Sequence, residues 1–256
     1  MIKIKSLREI ELLRKSGELI YKTHQLLKEY IKPGVSTKQL DEIAENFILS
    51  SGAVPGFKGY NDFPATLCTS INEVVVHGIP SAKEILKSGD IISIDIGCIF
   101  NGYYGDSAWT YAVGEVSEDA MQLMEITKKS LYEAIKIVKP GIAIGDIGAK
   151  IIEVVKPYKY AIVEDFTGHG IGTNLHEDPA IPNFGIAGKG IKLKEGMVIC
   201  IEPMITNGKK NVRILRDNWT TVTSDKSLAC HYEHMVAVTK DGFTILSDGS
   251  TSGAGA

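Results

Sequence analysis

Asp95 and Asp106 stand eleven residues apart in the run IISIDIGCIFNGYYGDSAW, Ile91 to Trp109. Between them Asn101-Gly102 supplies the two φ > 0 positions that a type I′ hairpin turn requires. With that turn, Phe100 faces Tyr103, Cys98 faces Gly105 and Gly97 faces Asp106. Strand side chains alternate faces, so Asp95, Gly97 and Asp106 share one face, the carboxylates diagonal and roughly 7 Å or less apart at Cβ. Ile92, Ile94 and Ile96 take the other face and can enter a core. Two like charges repel by about 4 kcal/mol at 4 Å and an effective dielectric of 20. A proton, a basic side chain or a metal must compensate them.

Two further carboxylates sit where charge is unwelcome. Glu202 lies in MVICIEPMIT and Glu233 in ACHYEHMVAVT, both apolar strand-forming runs in which a bare carboxylate is costly to bury. Taken singly, each reads as the solvent-facing residue of an edge strand. Comparing the chain with itself changes the weighting. IKPGVSTKQLDEIAENFI from Ile31 resembles VKPGIAIGDIGAKIIEVV from Val138, and LKSGDIISID from Leu86 resembles LKEGMVICIE from Leu193, both at an offset of 107. The two matches point to an internal duplication in which Asp95 corresponds to Glu202. A two-fold arrangement then brings four carboxylates together, more than one proton or one lysine balances; two divalent cations could.

Hard oxygen donors with an imidazole suit manganese, ferrous iron, cobalt or zinc. His169, between Gly168 and Gly170, is the natural nitrogen ligand, although alone it reads equally well as a loop histidine bonded to a carbonyl. His77, before Gly-Ile-Pro, and His176 have the same two readings. His24 reads as a surface residue of the first helix; His231 and His234, flanking Glu233, stay open.

The elements that must position these residues follow from periodicity. Ile10, Leu13, Ile20, Leu27 and Ile31 predict an amphipathic helix within 5–31, stopped by Pro33-Gly34. Ser36 or Thr37 caps a second helix ending at Gly52. TLCTSINEVVVHGIP reads as strand, turn and strand. Helices from about 117 to 138 and 144 to 155 follow, then the strand YAIVED, Gly168-His169-Gly170, an irregular proline-broken loop LHEDPAIPNF, and two strands carrying Glu202 and Glu233. This order predicts an α+β fold, helices covering one curved, mainly antiparallel sheet. One domain over 1–248, with halves of about 1–115 and 116–248, and a disordered tail at 249–256 are expected.

Composition narrows the class. Hydrophobic residues at 44% and charged residues at 23% are those of a soluble globular protein, and a formal charge of −3 gives no reason to expect nucleic-acid binding. Cys68, Cys98, Cys200 and Cys230 are scattered, which favours reduced thiols and a cytoplasmic setting over a disulfide framework. No secretory signal or membrane span is visible.

On these residues the chain resembles the type I methionine aminopeptidases, of the pita-bread fold, over almost its full length. The segments that carry the resemblance are PATLCTSINEVVVHGIP, ISIDIGCIFNGYYGDSA, FTGHGIGTNLHEDPAIPN, GMVICIEPM and YEHMVAVT. The resemblance implies two divalent metal ions (cobalt, manganese, ferrous iron or zinc) on Asp95, Asp106, His169, Glu202 and Glu233. Asp106 and Glu233 would bridge them, Asp95 would hold one ion, and His169 and Glu202 the other. It makes His77 and His176 substrate-contacting histidines and Glu202 the proton shuttle. Tyr60, Phe63, Cys68, Leu175 and Trp219 would line a methionine pocket, and Asn72 and Val74 would belong to a monovalent-cation site. The implied activity removes the initiator methionine from nascent chains whose second residue is small. The expected partner is the nascent N-terminus, with ribosome docking left open, for a monomeric, bacterial-type cytoplasmic enzyme.

Departures from the family pattern concern the periphery. Leu175 stands where relatives often carry an aromatic residue, Phe57 is bulky for the pocket rim, and Ala229 replaces a hydroxyl-type residue near the monovalent-cation site. The alternatives are an X-Pro aminopeptidase or prolidase, whose relatives usually carry an additional N-terminal domain, and a non-catalytic module that kept the fold. Only about 90 residues precede Asp95, and all five ligand types are present.

Overall fold

The computed structural model describes residues 1–250; the expected disordered tail lies, from residue 251 on, outside the described residues. Helix α1 spans Leu7–Lys28, started by a capping box in which Ser6 and Glu9 bond each other's backbone N–H groups. Ser36 and Gln39 form the same box at the start of α2, Thr37–Ser50. Strands β1, Leu67–Ile71, β2, Ile91–Phe100, and β3, Tyr103–Ala112, complete the first set. The second set is α3, Glu118–Lys136, α4, Ile144–Val155, and strands β4, Thr167–Gly170, β5, Glu177–Pro182, β6, Val198–Ile201, β7, Ala229–His231, and β8, His234–Val238.

The hairpin β2–β3 has the predicted register: Phe100 opposes Tyr103, Cys98 opposes Gly105 and Gly97 opposes Asp106. Its turn places Asn101 at φ 51° and Gly102 at φ 83°, the left-handed region that Asn-Gly tolerates. Ile92, Ile94 and Ile96 are buried against Ile20, Leu27, Leu40 and Ile48 of α1 and α2. Each such side chain contributes about 1.5–3 kcal/mol through burial. In the second set, Ile199 and Ile201 meet Leu123, Ile126, Ile147 and Ile151 of α3 and α4. Helices therefore cover one face of each strand set, and the opposite faces are left to look at each other.

The repeat of 107 residues recurs throughout. Helices α2 and α4 begin at Thr37 and Ile144, and strands β2 and β6 at Ile91 and Val198. The bridge Ser36–Ile85 has its counterpart in Ala143–Lys192. The turn bonds from Gly34 N–H to Leu86 O and from Gly141 N–H to Leu193 O match as well.

Strand pairing is antiparallel among the described residues, as the α+β expectation has it, with the ladders falling into four hydrogen-bonded groups. The β3 edge meets the segment between β7 and β8 through the Glu233 N–H to the Ala108 carbonyl, 2.8 Å. Three local expectations are corrected. The proline-broken loop is partly strand β5, and YAIVED is strand only at Ala161–Ile162. The strands expected to contain Glu202 and Glu233 each break there: β6 ends at Ile201 before Glu202-Pro203, where proline has no N–H for a ladder, and Tyr232-Glu233 interrupt β7 and β8.

Candidate metal centre and substrate pocket

The strand faces away from the helices wall a cavity of about 630 Å³, and every residue singled out from the sequence for catalysis, metal binding or the methionine pocket lines it. Asp95 and Asp106 project from β2 and β3, their carboxyls within hydrogen-bonding reach of each other. Glu202 enters from the end of β6, and Glu233 from the break between β7 and β8, where its carbonyl accepts the Ser107 hydroxyl at 2.8 Å. A Cβ on Gly168 would lie 2.3 Å from the Cys200 carbonyl and one on Gly170 2.3 Å from that of Asp178, so both flanking glycines are needed for β4 to pack this closely.

His169 has its Nδ1 2.9 Å from the carbonyl of Gly170, which fixes that nitrogen as the donor. Its Nε2 lone pair then faces the acids, 3.6 Å from Asp106 Oδ2 and 3.6 Å from Glu202 Oε1. Burial pushes the ring's pKa down to about 4, so it is a neutral donor at neutral pH. Ligand atoms of Asp106, His169, Glu233 and Cys200 all lie within 4.8 Å of one another, with Asp95 and Glu202 flanking them.

The electrostatics of the bare chain are unfavourable. Burial, and after it the neighbouring carboxylates, push Asp106 and Glu233 well above the usual carboxylate range; burial does the same to Glu202, with Asp95 adding to it. Burial raises Asp95 to about 6. Asp95 Oδ1, Asp106 Oδ1 and Glu233 Oε1 are buried with no hydrogen-bond partner. Buried polar atoms are normally paired, so orphaned acceptors converging with an imidazole lone pair fit divalent cations.

The pocket residues divide between polar and apolar work. His176 Nδ1 lies 2.8 Å from the Tyr60 hydroxyl, and its ring is 4.4 Å from that of His169. With Tyr60 donating, the neutral ring carries its proton on Nε2. His77 adopts φ 60°, a left-handed backbone unusual for a side-chain-bearing residue, and its ring lies edge-on to Phe166 at 5.3 Å and Trp219 at 6.1 Å. Phe63 and Trp219 meet edge to face at 5.1 Å. Cys68 is buried opposite Asp95, and burial holds it as a neutral thiol. Phe57 fits because Gly97 is bare: a Cβ there would lie 2.3 Å from its ring.

Other expectations fare differently. The Asn72 carbonyl accepts the Ala229 N–H at 2.8 Å. His24 is buried, with its ring nitrogens 3.0 Å from the Tyr111 hydroxyl and 3.1 Å from the Ser107 carbonyl, which corrects its reading as a surface residue. His231 lines the cavity with Nε2 3.6 Å from Glu202 Oε2, whereas His234 bonds Ser247 Oγ at 2.8 Å behind it. Cys200 was not anticipated, although its two-residue spacing from Glu202 put it on the same face.

This geometry, a carboxylate-rich centre between two repeated half-structures, is that of a metallopeptidase. Residues 11–240 match the model of Metallopeptidase family M24, and the chain belongs to that family. It falls among the type I methionine aminopeptidases. It is 50% identical over 247 residues to methionine aminopeptidase 1 of Bacillus subtilis, covering 96% of this chain and 99% of that one. It is 41% identical to methionine aminopeptidase of Escherichia coli, over 96% and 94% of the two chains. The crystal structure of methionine aminopeptidase from Rickettsia prowazekii superposes with a TM-score of 0.95 at 42% identity, over 96% of this chain and all of that one. The prolidase of Pyrococcus horikoshii shares the fold with a TM-score of 0.77 at 25% identity, but this chain spans only 63% of it.

Proposed function

We propose that this enzyme removes the initiator methionine from nascent chains whose second residue is small, working in the cytoplasm. The observation that carries the reading is the cavity itself, with four carboxylates and an imidazole lone pair beneath an aromatic and thiol-lined pocket. Asp106 and Glu233 would bridge two ions, Asp95 would hold one, and His169 and Glu202 the other; manganese, ferrous iron, cobalt and zinc suit this donor set. When bound, the ions supply Lewis acidity toward water and the scissile carbonyl.

The protein's own groups do the rest. Glu202, ionised once the site's charge is balanced, takes the proton of the attacking water and returns it to the leaving amine. His176 donates from Nε2 to the carbonyl oxygen, where negative charge develops. His77, its ring braced by Phe166 and Trp219, faces the scissile amide. Tyr60, Phe63, Cys68, Leu175 and Trp219 surround the side chain with polarisable, uncharged walls suited to an unbranched thioether.

Specificity is tested with peptides. The manganese-loaded protein is expected to cleave Met-Ala-Ser and to leave Ala-Pro-Gly largely intact; the opposite preference would assign it to the X-Pro peptidases.

A further inference from the structure

His176 lies in the bend 172–176 that leads into β5. The carboxylate of the residue after it, Glu177, is only 4% exposed. Its Oε2 lies 2.5 Å from the Nζ of Lys5, also 4% exposed, while Oε1 accepts from Lys3 at 2.8 Å and from the Asn174 N–H at 3.3 Å. Lys5 is itself anchored, its N–H donating to the Gly196 carbonyl at 2.7 Å just before β6. The pair thus joins the strand that leads to Glu202 with the bend that presents Leu175 and His176.

Gly172 is shaped around this pair. A Cβ at Gly172 would lie 2.8 Å from Lys5 Cε and 2.8 Å from Glu177 Oε1. A methyl on the last glycine of Gly-His-Gly-Ile-Gly would therefore displace the ends of both side chains of the ion pair. Its carbonyl meanwhile accepts the Tyr104 N–H at 2.9 Å, tying the bend to the hairpin that bears Asp106.

We propose that Lys5 and Glu177, seated on Gly172, are positioning residues that hold His176 at the substrate carbonyl. Without Lys5 the Glu177 carboxylate keeps only the half-exposed Lys3 and the Asn174 N–H, and the tie that holds the bend to the Lys5 segment is lost; an error near 1 Å in a reacting group is enough to slow turnover greatly. This role rests on the reading of His176 as a substrate-contacting residue.

The test is a double-mutant cycle on the metal-loaded, full-length enzyme with Met-Ala-Ser. K5M is expected to lower kcat about tenfold while KM and manganese affinity change by less than about twofold. K5R should restore most of kcat, G172A should behave like K5M, and K5M/H176A should be no slower than H176A. If K5M does not fold, K5M/E177Q, which removes both charges, is read in its place. A K5M effect that multiplies undiminished on H176A would overturn the positioning role, as would a K5M enzyme of wild-type kcat beside a slow H176A. An H176A enzyme as fast as wild type would overturn the substrate role of His176, and the positioning role with it.

Discussion

His169 and Glu202 face each other across 3.6 Å, Nε2 to Oε1, with the far nitrogen of the imidazole held at the Gly170 carbonyl. The proton of His169 is thereby kept away from the acids, leaving a lone pair where a cation needs it. His169→Ala is expected to weaken one of two manganese-binding events by at least about tenfold and leave the other near its original affinity. Isothermal titration of the chelated protein reads both; two unchanged events would remove His169 from the centre.

The acids also set a pH dependence for the metal-free protein. Their folded-state pKa values lie above the unfolded values near 4, that of Asp95 at about 6, so the folded chain holds protons that the unfolded chain releases. Their contribution to stability is present at low pH and is lost as pH rises through the raised values. Divalent ions take over from the protons, so the rise in Tm on adding manganese should be larger at pH 8 than at pH 5.5. Thermal scans of chelated and reloaded protein test this, and an equal rise at both pH values would contradict it.

His24 has the opposite sign. Burial drives its pKa down to about 3, so below the unfolded value of about 6.5 the unfolded chain takes up a proton that the folded chain refuses. Stability supplied by His24 is full above that value and falls as pH drops. Between pH 7 and pH 5 the wild-type protein should lose about 2 kcal/mol more than His24→Gln, read from urea denaturation at each pH.

Gly97 links the hairpin to the pocket. In Gly97→Ala the new methyl would lie 2.3 Å from the Phe57 ring, which must move into the cavity. Overpacking of this kind costs about 1–3 kcal/mol, so KM for Met-Ala-Ser should rise on the order of tenfold while manganese affinity holds. Steady-state kinetics beside a metal titration separate the two effects.

Much of this site was legible before any coordinates. Asn101-Gly102 set the hairpin register because few dipeptides accept two left-handed residues in succession, and that register put Asp95 and Asp106 on one face. The offset of 107 paired β2 with β6 because each copy reuses the same glycine turn into an apolar strand. What stayed hidden depends on contacts distant in sequence. The break at Glu233 answers to the β3 edge, where its N–H meets the distant Ala108 carbonyl, whereas that at Glu202 follows from Pro203. His24 is buried because Tyr111 and Ser107, more than eighty residues away, satisfy both ring nitrogens. Lys5 and Glu177 are 172 residues apart, and neither sits in a pattern that marks it as buried.

Asp106, 4% exposed, has its Oδ2 facing His169 and its Oδ1 unpaired, and it stands at the proposed junction of the two ions. The most direct test measures manganese stoichiometry and Met-Ala-Ser cleavage together on anaerobically prepared wild-type protein and Asp106→Asn. Two ions and metal-dependent cleavage are expected for the wild type, with weakened binding of both ions and loss of cleavage in the variant. Cleavage that survives exhaustive chelation, or an Asp106→Asn protein that binds and cleaves like the wild type, would contradict the shared-carboxylate centre.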